Sequence, residues 1–223
     1  MKRSEVNQII RQARDTFSEY RWTLPPFASY PPERWAGPEL KELKHSMLGW
    51  DITDFGSGDY YKVGLLLFTL RNGDLEEGDD QPYAEKLMLV REGQKTPYHF
   101  HWNKMEDIIN RGGGDVVFHL YNATKGDEVL DTTDVEINKD GRKYFVKAGE
   151  DVVLKPGESM TLYPYYYHEF VVRSSTALIG EVSMCNDDNT DNRFLEPLGR
   201  FPTIEEDEPA YRLLCNEYPA ADV

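Results

Sequence analysis

The stretch Gly93-Gln94-Lys95-Thr96-Pro97-Tyr98-His99-Phe100-His101-Trp102-Asn103-Lys104-Met105-Glu106 sets two histidines one residue apart and follows them with a glutamate. On a β-strand, residues i and i+2 project to the same face, so His99 and His101 would point together with Phe100 opposite. A short bend after His101 could return the Glu106 carboxylate to the same place. His168 comes much later in the chain, near the start of another strand-like segment. Three neutral imidazoles and one carboxylate make a borderline-to-hard donor set, suited to Mn²⁺, Fe²⁺, Co²⁺, Ni²⁺ or Zn²⁺. An alternating pair of histidines is common on strands, and most histidines bind no metal. The reading therefore rests on Glu106, His168 and the flanking glycines as well; His45 and His119 stand outside the set as ordinary structural histidines.

Such residues need a rigid frame, and the rest of the chain suggests one. Residues 4–20 carry Val6, Ile9, Ile10, Ala13 and Phe17 at helical spacing behind Ser4 as a candidate N-cap. The proline-rich stretch 24–32 suits neither regular element, and a second short helix is expected from Pro38 to Leu48. From Lys62 onward the pattern changes to short strands, expected at 62–71, 84–91, 96–102, 115–122, 134–138, 143–147, 151–154, 158–163, 168–173 and 176–184. Turn signals separate them at Asn72-Gly73, Glu92-Gly93, Gly112-Gly113-Gly114, Lys139-Asp140-Gly141 and Lys155-Pro156-Gly157. Evenly spaced strands without interleaved helices predict an antiparallel barrel or jelly roll. The expected division is an N-terminal helical and irregular arm over 1–60 and a barrel over 61–223. Within the latter, residues 186–209 read as an acidic loop or lid.

Bulk composition narrows the function. A chain of 223 residues with 39% hydrophobic and 13% aromatic content has material for one domain with a real core. A formal charge of −15 argues against nucleic acid or an anionic membrane as partner and suits a small neutral ligand. No stretch approaches the roughly 20 apolar residues of a membrane span, and the first residues lack a signal-peptide core. Cys185 and Cys215 with no CxxC motif suggest a reducing, cytoplasmic setting.

The metal-ligand spacing resembles the cupin family, whose first motif reads G-x5-H-x-H-x3or4-E-x6-G. Gly93, His99, His101, Glu106 and Gly113 meet it. In the second motif, G-x5-P-x-G-x2-H-x3-N, Gly157 and His168 keep their spacing. Pro164 falls one place late, Tyr165 stands at the usual glycine, and Val172 at the usual asparagine. A cupin-type β-barrel is the fold this implies. Its interior would contain charged residues: Lys104 near Glu106, Lys86 on the face it shares with Met88, and Glu181 interrupting an apolar strand. A charge inside a barrel needs a partner, a metal or a substrate, although each of these could instead lie on a solvated face or in a plain ion pair.

A wider set of segments is similar to the D-lyxose isomerases: Leu24-Pro25-Pro26-Phe27-Ala28, Tyr83-Ala84-Glu85-Lys86, His99 through Gly114, Asn186-Asp187-Asp188, and Glu206-Asp207-Glu208-Pro209-Ala210 to Leu214-Cys215-Asn216-Glu217-Tyr218. The resemblance implies a manganese-preferring aldose–ketose isomerase acting on D-lyxose and D-xylulose, with D-mannose and D-fructose, and a homodimer. It implies Lys104 as a catalytic proton donor and a glutamate of the C-terminal loop as its partner. That glutamate is open among Glu205, Glu206 and Glu208, with Glu205 favoured. Lys86, Glu181, Glu206 and Arg200 are candidate substrate contacts. Enediol proton transfer suits a carboxylate and an ammonium beside a divalent ion, and a hydride shift is the alternative. Rival readings are an iron-dependent cupin dioxygenase, a non-catalytic sugar-binding cupin, and a phosphosugar isomerase using Arg111, Arg193 and Arg200.

Overall fold

The computed structural model describes residues 1–73, 81–126, 128–187 and 190–220. Its first element, α1 (Arg3–Glu19), buries Val6, Ile9, Ile10, Ala13 and Phe17 along one stripe, as the helical spacing predicts. The helix begins at Arg3, so Ser4 lies inside it and is not the N-cap. The exposed donors of the first turn find partners in the C-terminal tail instead. Arg3 N–H donates to the Glu205 carbonyl, and Ser4 donates from N and Oγ to the two Asp207 carboxylate oxygens at 2.9 and 2.7 Å. Three short 3₁₀ turns follow, and the expected second helix shrinks to α2 (Lys41–His45).

The remainder is almost entirely antiparallel sheet: β1 (Gly49–Thr53), β2 (Leu65–Asn72), β3 (Tyr83–Val90), β4 (Lys95–Phe100), β5 (Glu106–Ala123), β6 (Leu130–Asp131), β7 (Val135–Lys139), β8 (Arg142–Val146), β9 (Asp151–Leu154), β10 (Ser159–Leu162), β11 (Tyr166–Met184) and β12 (Arg193–Phe194). The main path runs β1-β2-β3-β11-β5-β10-β7-β8, with β4 on β11, β12 on β4, and β6 and β9 on β5. β1 had no signal in the sequence reading; Gly49–Thr53 is fully buried and pairs along its whole length with Leu65–Thr69 of β2.

Two long strands organise this cupin-like barrel. β5 and β11 pair with each other over most of their length and exchange their other neighbours halfway along. The glycine run Gly112-Gly113-Gly114 has the composition of a turn. Instead it stays extended within β5 opposite a bulge of β11, where Ser174, Ser175 and Thr176 face Gly114 alone between the Arg173–Asp115 and Ala177–Gly113 pairs. Gly113 has φ +91°, and a Cβ there would sit 2.0 Å from the Thr176 carbonyl oxygen, so only glycine lets the two backbones come this close.

Alternation along the strands divides the apolar residues into two cores. One fills the barrel, with Leu65, Leu67, Met88, Ile108, Phe118 and Phe170 among its members. The other lies between α1 and the outer sheet face, where Trp50, Ile52, Leu66, Phe68, Leu87 and Leu89 meet Ile9, Ile10 and Phe17. Lys86 and Met88 therefore look inward and Leu87 and Leu89 outward, as the period-two pattern predicts.

Candidate active site

A cavity enters the barrel above the interior core. Its apolar wall comprises Phe55, Leu65, Leu67, Met88, Ile108, Phe170 and Phe194, and its polar wall includes Thr53, Lys86, His99, His101, Lys104, Glu106, His168, Glu181, Asn192 and Arg200. His99 stands on β4 directly opposite His168 on β11, so cross-strand pairing alone brings these rings to a centroid separation of 4.1 Å. His101 follows just beyond β4, with its ring centroid 5.4 Å from that of His99. Phe100 points the other way, fully buried among Trp102, Tyr165 and Tyr167. Glu106 opens β5.

Ring orientation shows what the histidines are set up to do. Each Nδ1 is engaged by a main-chain carbonyl: His99 by Pro97 at 2.8 Å, His101 by Asp191 at 2.6 Å, and His168 by Tyr166 at 2.9 Å. A carbonyl can only accept, so each ring carries its proton on Nδ1 and turns the Nε2 lone pair inward. The three rings can offer ligand atoms within 4.8 Å of one another. Glu106 Oε1 lies 3.3 Å from His168 Nε2 and 3.7 Å from His101 Nε2. Burial, and then the neighbouring imidazoles His168 and His101, push His99 well below its usual pKa. Burial and the Lys104 ammonium bring His101 down to about 4. Neutral imidazoles with fixed tautomers beside a carboxylate are what a divalent ion requires, and this donor set fits one.

Beside the ligands runs a buried chain of alternating charge. Lys86 Nζ lies 3.2 Å from Glu181 Oε1; Lys104 Nζ is 3.2 Å from the same oxygen and 2.7 Å from Glu106 Oε2. Two ammoniums and two carboxylates compensate one another where isolated charges would be costly. Burial alone would raise both carboxyls. For Glu106 the Lys104 ammonium and the His101 and His168 rings outweigh that penalty and hold it well below its usual range. Lys104 and Lys86 outweigh the same penalty for Glu181 and lower its carboxyl, and both acids are carboxylates at neutral pH.

Lys86, Lys104, Glu181 and Arg200 thus share the cavity with the histidines. Arg200 reaches it from the C-terminal segment, held by the buried Asp51 carboxylate, while its carbonyl accepts the Thr53 hydroxyl. Glu205, expected as catalytic base, and Glu206, expected as a substrate contact, are not among the residues that line the cavity. Glu205 is exposed, and its backbone pairs with Met1 and Arg3. Glu206 binds the Arg3 guanidinium, while Glu208 accepts from Asn7 Nδ2 at 2.6 Å. The acidic run faces the start of α1, where negative charge complements the helix dipole. Asp188 lies outside the described residues.

Several contributors had no role assigned from the sequence. Asn186 Oδ1 accepts from Lys86 Nζ and, at 3.4 Å, from Lys104 Nζ. In the sequence it stood only within the Asn186-Asp187-Asp188 segment of the family resemblance, with no role attached. Thr53 lines the cavity and Asp51 braces it from β1, and Asn192 lines it from the segment before β12. Tyr165 has φ +64°, so the chain keeps a left-handed backbone where the cupin motif usually has glycine, with the Tyr165 ring stacked 5.2 Å from Phe100.

Comparison with known proteins agrees with this architecture. L-ribose isomerases from Cellulomonas parahominis (TM-score 0.64, 16% identity, covering 92% of this chain and 98% of that one) and Acinetobacter sp. DL28 (TM-score 0.60, 15% identity, 88% and 93%) share the fold. Sequence relatives are closer. The D-lyxose/D-mannose isomerase of Escherichia coli O157:H7 is 46% identical over 230 residues, and that of Serratia proteamaculans 47% over 224, each covering 98% of both chains. The family model described as D-lyxose isomerase matches residues 1–218, so the chain belongs to the D-lyxose isomerase family of aldose–ketose isomerases.

Proposed function

We propose that this chain interconverts D-lyxose with D-xylulose, and D-mannose with D-fructose, at a divalent ion, manganese first among candidates, held by His99, His101, Glu106 and His168. The carrying observation is the placement of Lys104 and Glu181, an ammonium and a carboxylate in contact, on the same cavity wall as three Nε2 lone pairs. The names of the curated relatives supply the sugars. When bound, the ion would polarise the substrate carbonyl and offset negative charge on its oxygens.

The protein's own groups account for the protons. Glu181, ionised at neutral pH, takes the proton from C2 of the aldose and returns it at C1. Lys104 donates a proton to O1 as the enediol forms and recovers one from O2 as the ketose carbonyl appears. Lys86, paired with Glu181, keeps that carboxylate ionised and oriented; Arg200 binds substrate hydroxyls from the C-terminal side. The apolar wall opposite excludes water from the intermediate. Glu181 replaces Glu205 in this scheme because it is the carboxylate in the cavity that does not belong to the ligand set.

The buried thiols of Cys185 and Cys215 support a cytoplasmic setting, and no helix among the described residues is long and apolar enough to cross a membrane. An exposed apolar patch of Tyr83, Met105, Val182 and Met184 supports assembly as a homodimer, which sedimentation would read directly. The deciding experiment is isomerisation of D-lyxose, D-mannose and D-xylose by chelated protein reloaded with Mn²⁺, with His101→Ala as control. Metal-dependent D-xylulose formation from D-lyxose, absent in the variant, is the expected result. Inertness toward all three sugars with metal bound would reject the proposal. Deuterium entering C1 from solvent would distinguish proton transfer from a hydride shift.

A further inference from the structure

The turn between β4 and β5 carries His101 and Lys104 and leads straight into Glu106, yet no strand or helix includes its residues 101–105. Its main-chain donors, that of Lys104 buried and that of Asn103 partly so, must find partners elsewhere. They find them in Asp191, a buried residue on the segment that returns after β11. One Asp191 carboxylate oxygen accepts the Asn103 main-chain N–H at 2.9 Å and the Asn103 side-chain amide at 3.3 Å. The other accepts the Lys104 main-chain N–H at 2.8 Å. The Asp191 carbonyl meanwhile accepts from His101 Nδ1 at 2.6 Å. Asp191 does not line the cavity.

We propose that Asp191 is a positioning residue for the isomerase site, acting through two neighbours at once. Its carboxylate fixes the turn and thereby the point from which the Lys104 ammonium reaches Glu106 and Glu181. The same anchorage holds its carbonyl against His101, keeping that ring in the tautomer that turns Nε2 toward His99 and His168. Side chain and main chain depend on each other here: release of the carboxylate frees the carbonyl, and the ligand and the proton donor loosen together. This rests on the isomerase reading above only for its catalytic part.

The test compares the full chain with Asp191→Ala, Asp191→Asn, Lys104→Arg and the double variant Asp191→Ala/Lys104→Arg. Mn²⁺ affinity is measured by chelator competition, kcat and KM with D-lyxose, and amide exchange at Asn103 and Lys104. Asp191→Ala is expected to weaken Mn²⁺ binding about tenfold or more, as loss of a group supporting a metal ligand does. It should also lower kcat at saturating metal more than it raises KM, and strip protection from both amides. Asp191→Asn retains an acceptor oxygen and should show smaller losses, and it serves if the alanine variant does not fold. The kcat loss in the double variant should not exceed that of Lys104→Arg alone. Wild-type Mn²⁺ affinity and kcat in Asp191→Ala, or losses that multiply in the double variant, would overturn the proposal. A wild-type protein that binds Mn²⁺ but leaves sugars unchanged would sink the isomerase reading instead, while metal affinity and amide exchange still judge Asp191.

Discussion

Glu181 lies between two ammonium groups and holds its charge because of them. That makes it a base at neutral pH, and a carboxamide of the same shape would keep the packing while removing the basicity. Glu181→Gln is therefore expected to lower kcat roughly 10²–10⁴-fold, the usual worth of a positioned acid–base group, with bound metal and thermal midpoint nearly unchanged. Glu205→Gln is the informative contrast. An exposed side chain at the start of α1 should leave kcat within about twofold of the parent, since surface changes rarely carry large effects. Equal losses in both variants would return the catalytic carboxylate to the C-terminal run.

Elements, more than residues, set the distances in this site. β5 supplies Glu106 and β11 supplies His168 and Glu181, so the register between these two strands places three site residues together. The bulge of β11 opposite Gly113 and Gly114 helps to set that register. Gly113→Ala would meet both a left-handed backbone and the Thr176 carbonyl, and is expected to cost about 2 kcal/mol or more of stability in denaturant unfolding. At the other end of the molecule, Arg3 is buried against Glu206 and Glu217 and ties α1 to the C-terminal tail. Hydrogen bonding to Arg3 holds the Glu206 carboxyl below its usual pKa. A lowered folded value means that the contribution is present above the ordinary carboxylate range and is lost as pH falls through the folded value. Arg3→Ala should accordingly lower the melting temperature most near pH 7, and the gap to the parent should narrow on acidification towards pH 3. A gap independent of pH would show that the ion pair adds nothing beyond packing.

For the molecule as a whole, one ion would tie together three parts of the chain: the end of β4, the start of β5 and the start of β11. A ligand that binds only the folded state stabilises it by mass action, about 2.7 kcal/mol at a hundredfold excess over its dissociation constant. In a chain of this size that corresponds to roughly 5–10 °C in melting temperature. Chelation should therefore lower both the melting temperature and the isomerase activity, and Mn²⁺ should restore them together. His101→Ala should melt near the chelated parent and fail to respond to metal.

Much of this was legible from residue order alone, for a definite reason. Alternation on a strand is local, so the shared face of His99 and His101, the opposite face of Phe100, and the face that Lys86 shares with Met88 all follow from period two. The amphipathic stripe of α1 is equally local, and so is the spacing that joins Glu106 to the histidines. What the chain order could not supply was long-range pairing. Glu181, Lys86 and Lys104 come from three separate elements, and only the register of β3, β11 and β5 shows that their charges meet. An acidic run such as 205–208 reads alike whether it faces a substrate or a helix N-terminus; docking of α1 against the tail decided for the helix. Gly112–Gly114 looks the same as a turn or as a strand facing a bulge until the opposing strand is in place, and β1 had too short a pattern to be seen without β2. Sequence determined which residues could bind a metal and on which face they lie. Tertiary structure decided which carboxylate stands beside them, because that depends on contacts between residues far apart in the chain.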